Sequence, residues 1–415
     1  MKIIFYHSQG NANVRASVNG LAEANLLHEF HTSIAVFPGS FLDSVGSIDF
    51  LSEIRRRRFN ESLKPYTHTS PAIELGRLIS LKAGLQKFTR HETGRFSVDA
   101  SIRSLDRKVA SGLKKAKSKG ITGIYAYEDG AAFSFKEAKQ LGLQCFYDLP
   151  TGYWRAKLRI LETEKERFPA WQSTIRGLID SKEKLDRKDE EVKLADRIFV
   201  ASRFTASTLQ DFPGTLPPVE IVPYGFPNVD IPRQFENTKN LPIKLLFVGS
   251  LSQQKGIAHL FQAVDALGKS VTLTLVGRKA NDDCDVLNAE VAKHRWIPSL
   301  PHDKILQIMR EHDVLVFPTL FDGFGLVITE AMSQGTPVIA TFNCGGPDLI
   351  DHGKNGWLVK AGSTAELQTV IEGLVENPES IIKAGQKAME TARLRPWSVF
   401  RRELSNAIQR HYQSL

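Results

Sequence analysis

Residues 317–340 read FPTLFDGFGLVITEAMSQGTPVIA. The run HDVLVFP that leads into this stretch predicts a strand ending at Pro318, and TPVIAT predicts another, with helix-forming residues between them. Strand, glycine turn, helix and strand make one βαβ unit, which places both strands in a parallel sheet. In open sheets of this kind ligands bind beyond the carboxyl ends of the strands. Asp322, Gly323, Phe324 and Gly325 fall at that end. The two glycines let backbone amides approach an anion closely. The helix beginning near Leu326 points its positive dipole end the same way. Glu330, about one turn into that helix, offers a carboxylate that suits paired sugar hydroxyls. Together these residues point to a ligand made of sugar, phosphate and ribose. Spacing alone equally allows Asp322 to cap the helix and Glu330 to decorate its first turn.

The same alternation of short apolar runs and amphipathic stretches extends in both directions. KIIFY, TSIAVF, GIYAY, LQCFYD, RIFVAS and VEIVPY read as strands in the first half, and KLLFVGS and VTLTLVG join the two above in the second. The strands are continuous Val/Ile/Leu runs, as expected of sheets buried on both faces. The expected fold is α/β, with two Rossmann-like doubly wound parallel-sheet domains facing across a cleft. YGFPNVDIPRQFENTKNLPI, residues 224–243, is rich in Pro, Asn and Gly and lacks periodicity, which marks a linker. The domains are therefore expected at 1–225, with helical additions at about 40–120, and at 226–395, followed by a helix at 396–415.

The chain has 415 residues, 42% of them hydrophobic and 24% charged, which is enough for two cores. No apolar run is long enough for a membrane-spanning helix, and the start reads as a strand rather than a signal peptide. Cys145, Cys284 and Cys344 are odd in number and far apart, so neither a disulfide framework nor a zinc site is expected, and a cytoplasmic setting is the default. Charge is uneven. Residues 1–230 carry 34 Lys and Arg against 27 Asp and Glu, whereas the remainder carries 20 against 19. A basic first half, including Arg55–Arg58 and Lys114–Lys119, suits solvated helix faces or contact with an anionic membrane surface. No nucleic-acid motif accompanies it.

LFVGSLSQQKGIAHLFQAV, residues 246–264, ends a strand at Gly249 and opens a helix after Lys255. A lysine there places a compact positive charge where a diphosphate would lie, although a lysine at a helix start is more often simply exposed. Asp283 and Asp285 mimic a D-x-D metal motif, but they lie in a loop apart from the phosphate-facing turns, and no metal is expected. HSQGNANVRASVNGL follows the first strand without a G-x-G-x-x-G fingerprint, which argues against a dinucleotide site. Gly10 and Asn11 in it, with Tyr127, Glu128, Asp129 and Asp148 beyond later strands, are expected to border the interdomain cleft. Tyr153, Trp154 and Arg155 are candidates for contact with a sugar face there.

Four stretches, LADRIFVASRFTASTL, VEIVPYGFPNVD, FVGSLSQQKGIAHLFQAV and FPTLFDGFGLVITEAMSQGTPVIATFNCGGPDLIDHGKNGWLV, resemble glycosyltransferase family 4, of GT-B fold. The resemblance covers most of residues 190–412, including a last helix that in this fold crosses back onto the first domain. Looser likeness in YAYEDGAA and YDLPTGYWRAK is to a branch acting in bacterial surface polysaccharide synthesis. The resemblance implies retaining, metal-independent transfer of a sugar from a nucleoside diphosphate sugar to a glycan or lipid-linked glycan, with no further cofactor. By the same resemblance Glu330 holds the ribose hydroxyls and Asp322 contacts the donor sugar. Phe324, Gly325 and Leu326 meet sugar and phosphate, and Lys255 holds the diphosphate, with Gly249 and Ser250 beside it. Three positions depart from the pattern. Asp322 replaces the usual Glu and is shorter by one C–C bond, ~1.5 Å. Ser250 stands where an Arg commonly pairs with the lysine. Tyr127 stands near a common His. These departures motivate an alternative, a catalytically weak nucleotide-sugar-binding scaffold of a polysaccharide assembly complex.

Overall fold

The computed structural model describes residues 1–40, 57–175, 178–231, 233–235 and 242–414. Thirteen strands among them form two parallel sheets. The first holds Ile3–Tyr6 (β1), Leu27–Thr32 (β2), Thr67–Thr69 (β3), Gly123–Tyr127 (β4), Gln144–Leu149 (β5), Arg197–Val200 (β6) and Val219–Ile221 (β7), in the order β3-β2-β1-β4-β5-β6-β7. The second holds Ile243–Val248 (β8), Val271–Val276 (β9), Arg295–Ile297 (β10), Val314–Phe317 (β11), Val338–Thr341 (β12) and Gly356–Val359 (β13), in the order β10-β9-β8-β11-β12-β13. Each order reverses once, between β1 and β4 and between β8 and β11. These are the two topological switch points at which open α/β sheets bind ligands. The central strands are apolar and buried along their whole length, as in β1, β4 and β11, because helices cover both faces.

The second strand is not where the sequence suggested. TSIAVF forms no strand beyond Thr32. β2 is LHEFHT, which mixes buried and half-buried positions, and Val36 makes only an isolated bridge with Arg58. Local apolarity pointed to the more hydrophobic run, whereas pairing with β1 selected its polar neighbour. β3, β10 and β13 are strands of three or four residues that carry little pattern of their own. The helical additions are Ala72–Lys82, Gln86–Thr89 and Val98–Ser118, which lie between β3 and β4. Residues 41–56 of the expected addition, with Arg55 and Arg56 of the basic run, lie outside the described residues, as do 232 and 236–241 of the expected linker.

The chain crosses between the domains twice, side by side. Phe226 bridges Pro396 and its amide donates to Arg395 O at 2.9 Å. The helix Trp397–Gln413 then packs on the helix Ala12–Glu23 of the first domain, where Arg401 reaches Glu23 at 2.8 Å and Arg410 reaches Glu220 at 2.8 Å. A third connection is buried. The helix Trp154–Arg167 carries Glu164, whose Oε1 accepts from Gln253 Nε2 at 2.6 Å and lies 2.8 Å from His259 Nε2, both in the second domain. A few residues on, Trp171 sits in the second domain's core against Phe261. Burying a carboxylate is tolerable only when its oxygens are partnered, so this contact fixes one edge of the cleft.

Candidate functional site at the facing switch points

The loops after β8 and β11 meet at the second switch point. Gly256 ends the first loop at φ +71°, and a Cβ there would stand 2.0 Å from Pro318 O. Only glycine tolerates both the angle and the contact. This close approach carries Lys255 onto Asp322, and the two form an ion pair in which each side chain is about one-fifth exposed. Lys255 Nζ also lies 5.4 Å from the Phe317 ring centroid. Asp322 Oδ1 accepts the Phe324 amide at 3.0 Å, so its short side chain folds back over the turn instead of reaching outward. Gly325, at φ +81°, opens the helix Leu326–Ser333 with no side-chain cap, and its first amides are left to solvent or ligand. Glu330, one turn into this helix, is partly exposed and lies 3.0 Å from His302 Nε2. This hydrogen bond pushes the His302 imidazole above its ordinary value, and Arg15 of the first domain opposes the rise. Of the remaining residues, Gly249 spends its amide on Val276 O at 2.9 Å, and Ser250 is exposed beside it.

Across the cleft stand the loops after β1 and β4. Asn11 is exposed and caps the helix Ala12–Glu23 by accepting from the Val14 amide at 3.3 Å. Gly10 is buried against Phe59 and gives its carbonyl to Arg15. Glu128 takes Lys188 at 3.0 Å and Thr151 at 3.0 Å. Asp129 adopts φ +72° and donates its amide to Glu191 at 2.8 Å, facing Lys184, Arg187 and Lys188. Asp148 lies beneath the cleft rather than on its wall. It is buried, accepts from Tyr125 Oη at 2.6 Å and neighbours Tyr127 and Tyr224. Burial pushes it up to about 7 despite those hydroxyls. Tyr127 is itself buried, with Oη 3.1 Å from Ser17 Oγ and its ring edge-on to His7. Tyr153 and Arg155 depart furthest from the expected cleft position. Both turn to Asp189, at 2.5 Å each, and Trp154 Nε1 joins them at 2.6 Å. The three residues thus pin the start of their own helix to the helix Lys182–Leu194.

The domains touch where the acidic turn meets the loop after β5. A Cβ on Gly323 would stand 1.9 Å from Pro150 O, and its carbonyl accepts from Ser202 Oγ at 2.5 Å and Thr205 Oγ1 at 2.8 Å. Gly323 therefore docks the domains rather than facing a ligand. Beside this seam a cavity of about 60 Å³ is lined by Glu128, Thr151, Trp154, Lys157, Asp180 and Lys188. Burial, Lys188 and Lys255 all lower the Lys157 amine, while Glu128 and Asp180 oppose them. A larger hollow of about 930 Å³ is lined by Phe133, Lys136, Arg187 and Phe212 and includes no switch-point loop residue. Asp283 donates its amide to Asn281 and Asp285 opens the helix Asp285–Val291, so neither aspartate joins the other acids of the site. Sequence reasoning missed His302, Lys157, Ser202, Thr205 and Asp189. Ser202, Thr205 and Lys157 lay within quoted stretches without being singled out, whereas His302 and Asp189 carried no local signal.

Residues 229–391 match the family model described as Glycosyl transferases group 1. The match lies in the second domain, which is similar to the group 1 glycosyl transferases. The chain is 30% identical over 169 residues to a glycogen synthase of Mycobacterium tuberculosis, covering 38% of this chain and 39% of that protein. It is 28% identical over 174 residues to a D-inositol 3-phosphate glycosyltransferase of Corynebacterium glutamicum, covering 39% and 41%. The match thus spans about two fifths of these relatives' length. Over the whole chain the fold matches sucrose-phosphate synthase from Thermosynechococcus elongatus (TM-score 0.64, 17% identity, 100% of both chains). It also matches Anabaena Alr3699/HepE in complex with UDP-glucose (TM-score 0.60, 18% identity, 100% of both chains). With two switch-point sheets facing each other, the chain has the GT-B fold.

Proposed function

We propose that the protein is a retaining, metal-independent hexosyltransferase that moves a sugar from a nucleoside diphosphate sugar to a hydroxyl of a glycan or lipid-linked glycan. The observation that carries this reading is the convergence of Lys255, Asp322 and the open start of the helix Leu326–Ser333 at one switch point, with Glu330 a turn away. Lys255 and the amides after Gly325 would take the diphosphate, Glu330 the ribose hydroxyls and Asp322 the transferred sugar. The diphosphate would compete with Asp322 for Lys255, which would free the carboxylate to accept from sugar hydroxyls. The bond between the sugar's anomeric carbon and the phosphate oxygen breaks with its electron pair on that oxygen. The acceptor oxygen attacks the same face, and its proton passes to the departing phosphate. Catalysis is then mainly positioning and stabilisation of charge on the leaving group. That charge is met by protein groups already present, which supports a reaction without a metal ion. Lys157, half-buried on the first domain's side of the seam and repelled by Lys255, is a second cation for the same charge where Ser250 supplies none.

The basic first half supports an anionic acceptor carrier, a peripheral position at the inner membrane face and work in surface polysaccharide synthesis. No helix among the described residues is long and apolar enough to cross a membrane. The rival reading, a donor-binding scaffold, is favoured by Ser250 and by the engagement of Lys255 with Asp322. A thermal-shift screen of nucleoside diphosphate sugars, followed by a transfer assay with the best donor and lipid-linked glycan extracts, with and without chelator, separates the two. Transfer that survives chelation, with the anomeric configuration kept, supports the proposal. Stabilisation without turnover supports the scaffold, and no stabilisation by any donor removes both.

A further inference from the structure

Half of the large apolar side chains exposed among the described residues fall within one stretch: Leu75, Ile79, Leu81, Leu85, Phe88 and Val98. They belong to the helical addition of the first domain. The helix Ala72–Lys82 is anchored on one side, where Leu78 packs with Ile34 and Val36, Gly76 lies against Phe96, and Glu74 is buried between Arg57 and Arg77. Its other side has no cover among the described residues. The chain turns at Gly84 into the helix Gln86–Thr89, and every residue from Leu81 to Phe88 is exposed, with Ile79 at 65% and Leu81 at 51%. Charge sorts with apolarity. Between Leu75 and His91 the charged residues are Arg77, Lys82, Lys87 and Arg90, with no Asp or Glu.

An exposed apolar patch of this size marks an interaction site, and its exposure and charge select the occupant. Every residue of the turn is exposed, which suits insertion into a partner surface. A second copy meeting it face to face would bring Lys87 and Arg90 against the same two cations. An anionic lipid surface offers phosphates to the cations and an acyl boundary to the apolar side chains, as for interfacial helices generally. We propose that the turn between the helices Ala72–Lys82 and Gln86–Thr89 is a membrane-docking tip, inserting Leu81, Leu85 and Phe88 between anionic lipid headgroups while Lys87 and Arg90 meet the phosphates. This deepens the membrane reading above by naming the surface. Its purpose rests on the first domain being the acceptor side, but vesicle binding itself does not.

Co-sedimentation of the full chain with phosphatidylglycerol–phosphatidylcholine vesicles, against pure phosphatidylcholine, tests it. The wild type should bind the anionic vesicles, weaken with added salt and bind the neutral ones poorly. Leu81→Asp/Leu85→Asp/Phe88→Asp should bind at least tenfold more weakly, whereas Leu394→Asp, at an exposed apolar side chain of the second domain, should match the wild type. Lys87→Glu/Arg90→Glu, which keeps the apolar tip, guards against misfolding of the triple variant and should lose the salt-sensitive part of binding. The idea is overturned if the wild type ignores anionic vesicles, if both tip variants bind unchanged, or if the patch instead holds a dimer that the triple variant dissolves. A donor-induced thermal shift in the same samples keeps the two failures apart. Vesicle binding without a donor shift removes the transferase reading and leaves the tip, and the reverse result removes the tip alone.

Discussion

The two domains repeat one topology, yet their switch points are built differently. At the second, the loops after β8 and β11 are short, glycine-rich turns whose charged side chains pair with one another while still partly exposed, Lys255 with Asp322 and Glu330 with His302. At the first, the loops after β1 and β4 rest on long-range polar networks, in which Asp148 lies under Tyr125 and Tyr127, and Glu191 holds the amides of Asp129, Ala131 and Ala132. In the proposed reading the second is an open cradle that exchanges its internal pairs for a ligand. The first is a braced wall whose ionisable groups already have partners. One scaffold can thus hold an exchangeable charged ligand on one side and a fixed surface on the other.

The largest effect should come from opening the cradle. Lys255→Ala is expected to lower transfer by about 10²–10³-fold, as loss of one charge-stabilising donor does elsewhere. Glu330→Ala should weaken donor binding by about 1.5–3 kcal/mol, the range for a hydrogen bond to a charged group. Steady-state kinetics and calorimetry check these, and unchanged values in both variants would dissolve the contrast. Gly323→Ala strikes the seam between the two sides, where the new methyl meets Pro150 O. It should cost about 1–3 kcal/mol by overpacking, read from thermal melting, with transfer falling more than donor binding.

The wall should respond in stability rather than in donor binding. Asp189→Asn weakens the bonds from Tyr153, Trp154 and Arg155 and should cost about 1 kcal/mol with donor affinity unchanged. A matching loss of donor affinity would move these residues back into the site. Asp148 gives a pH test. Burial raises it to about 7, so between about pH 4 and 7 the folded protein keeps a proton that the unfolded chain has released. Its contribution to stability therefore falls as pH rises through that window. Asp148→Asn should flatten the decline, while Glu191, pushed up to about 8, keeps its own share. The smallest effect belongs to His302. Its raised value means that the pairing with Glu330 is complete below the ordinary histidine value and fades as pH rises through the folded one. Nucleotide binding should strengthen from pH 6 to 8 as Glu330 is released, by no more than about fivefold for so exposed a pair, and His302→Gln should abolish the trend.

The contrast also explains what could be read in advance. The cradle was legible because its parts lie close together in sequence: a strand, a glycine turn and a helix start within the residues from Val314 to Glu330. The sheets were legible for the same reason wherever strands are buried on both faces. β2 was misplaced because its polar LHEFHT is chosen by pairing with β1, a long-range fact. Tyr153 and Arg155 looked like sugar contacts because aromatic and basic residues after a strand suit that role. Their partner, Asp189, lies 34 residues beyond Arg155 with nothing in the sequence to join them. His302 and Lys157 reach the site from helices whose local patterns show only amphipathicity.

A crystal structure with a nucleoside diphosphate bound tests the central claim most directly. The account predicts the phosphates between Lys255 and the amides after Gly325, the ribose hydroxyls on Glu330, and the Lys255–Asp322 pair parted. A nucleotide lodged at the first domain's switch point or in the hollow beside Phe212, with that pair intact, would contradict it.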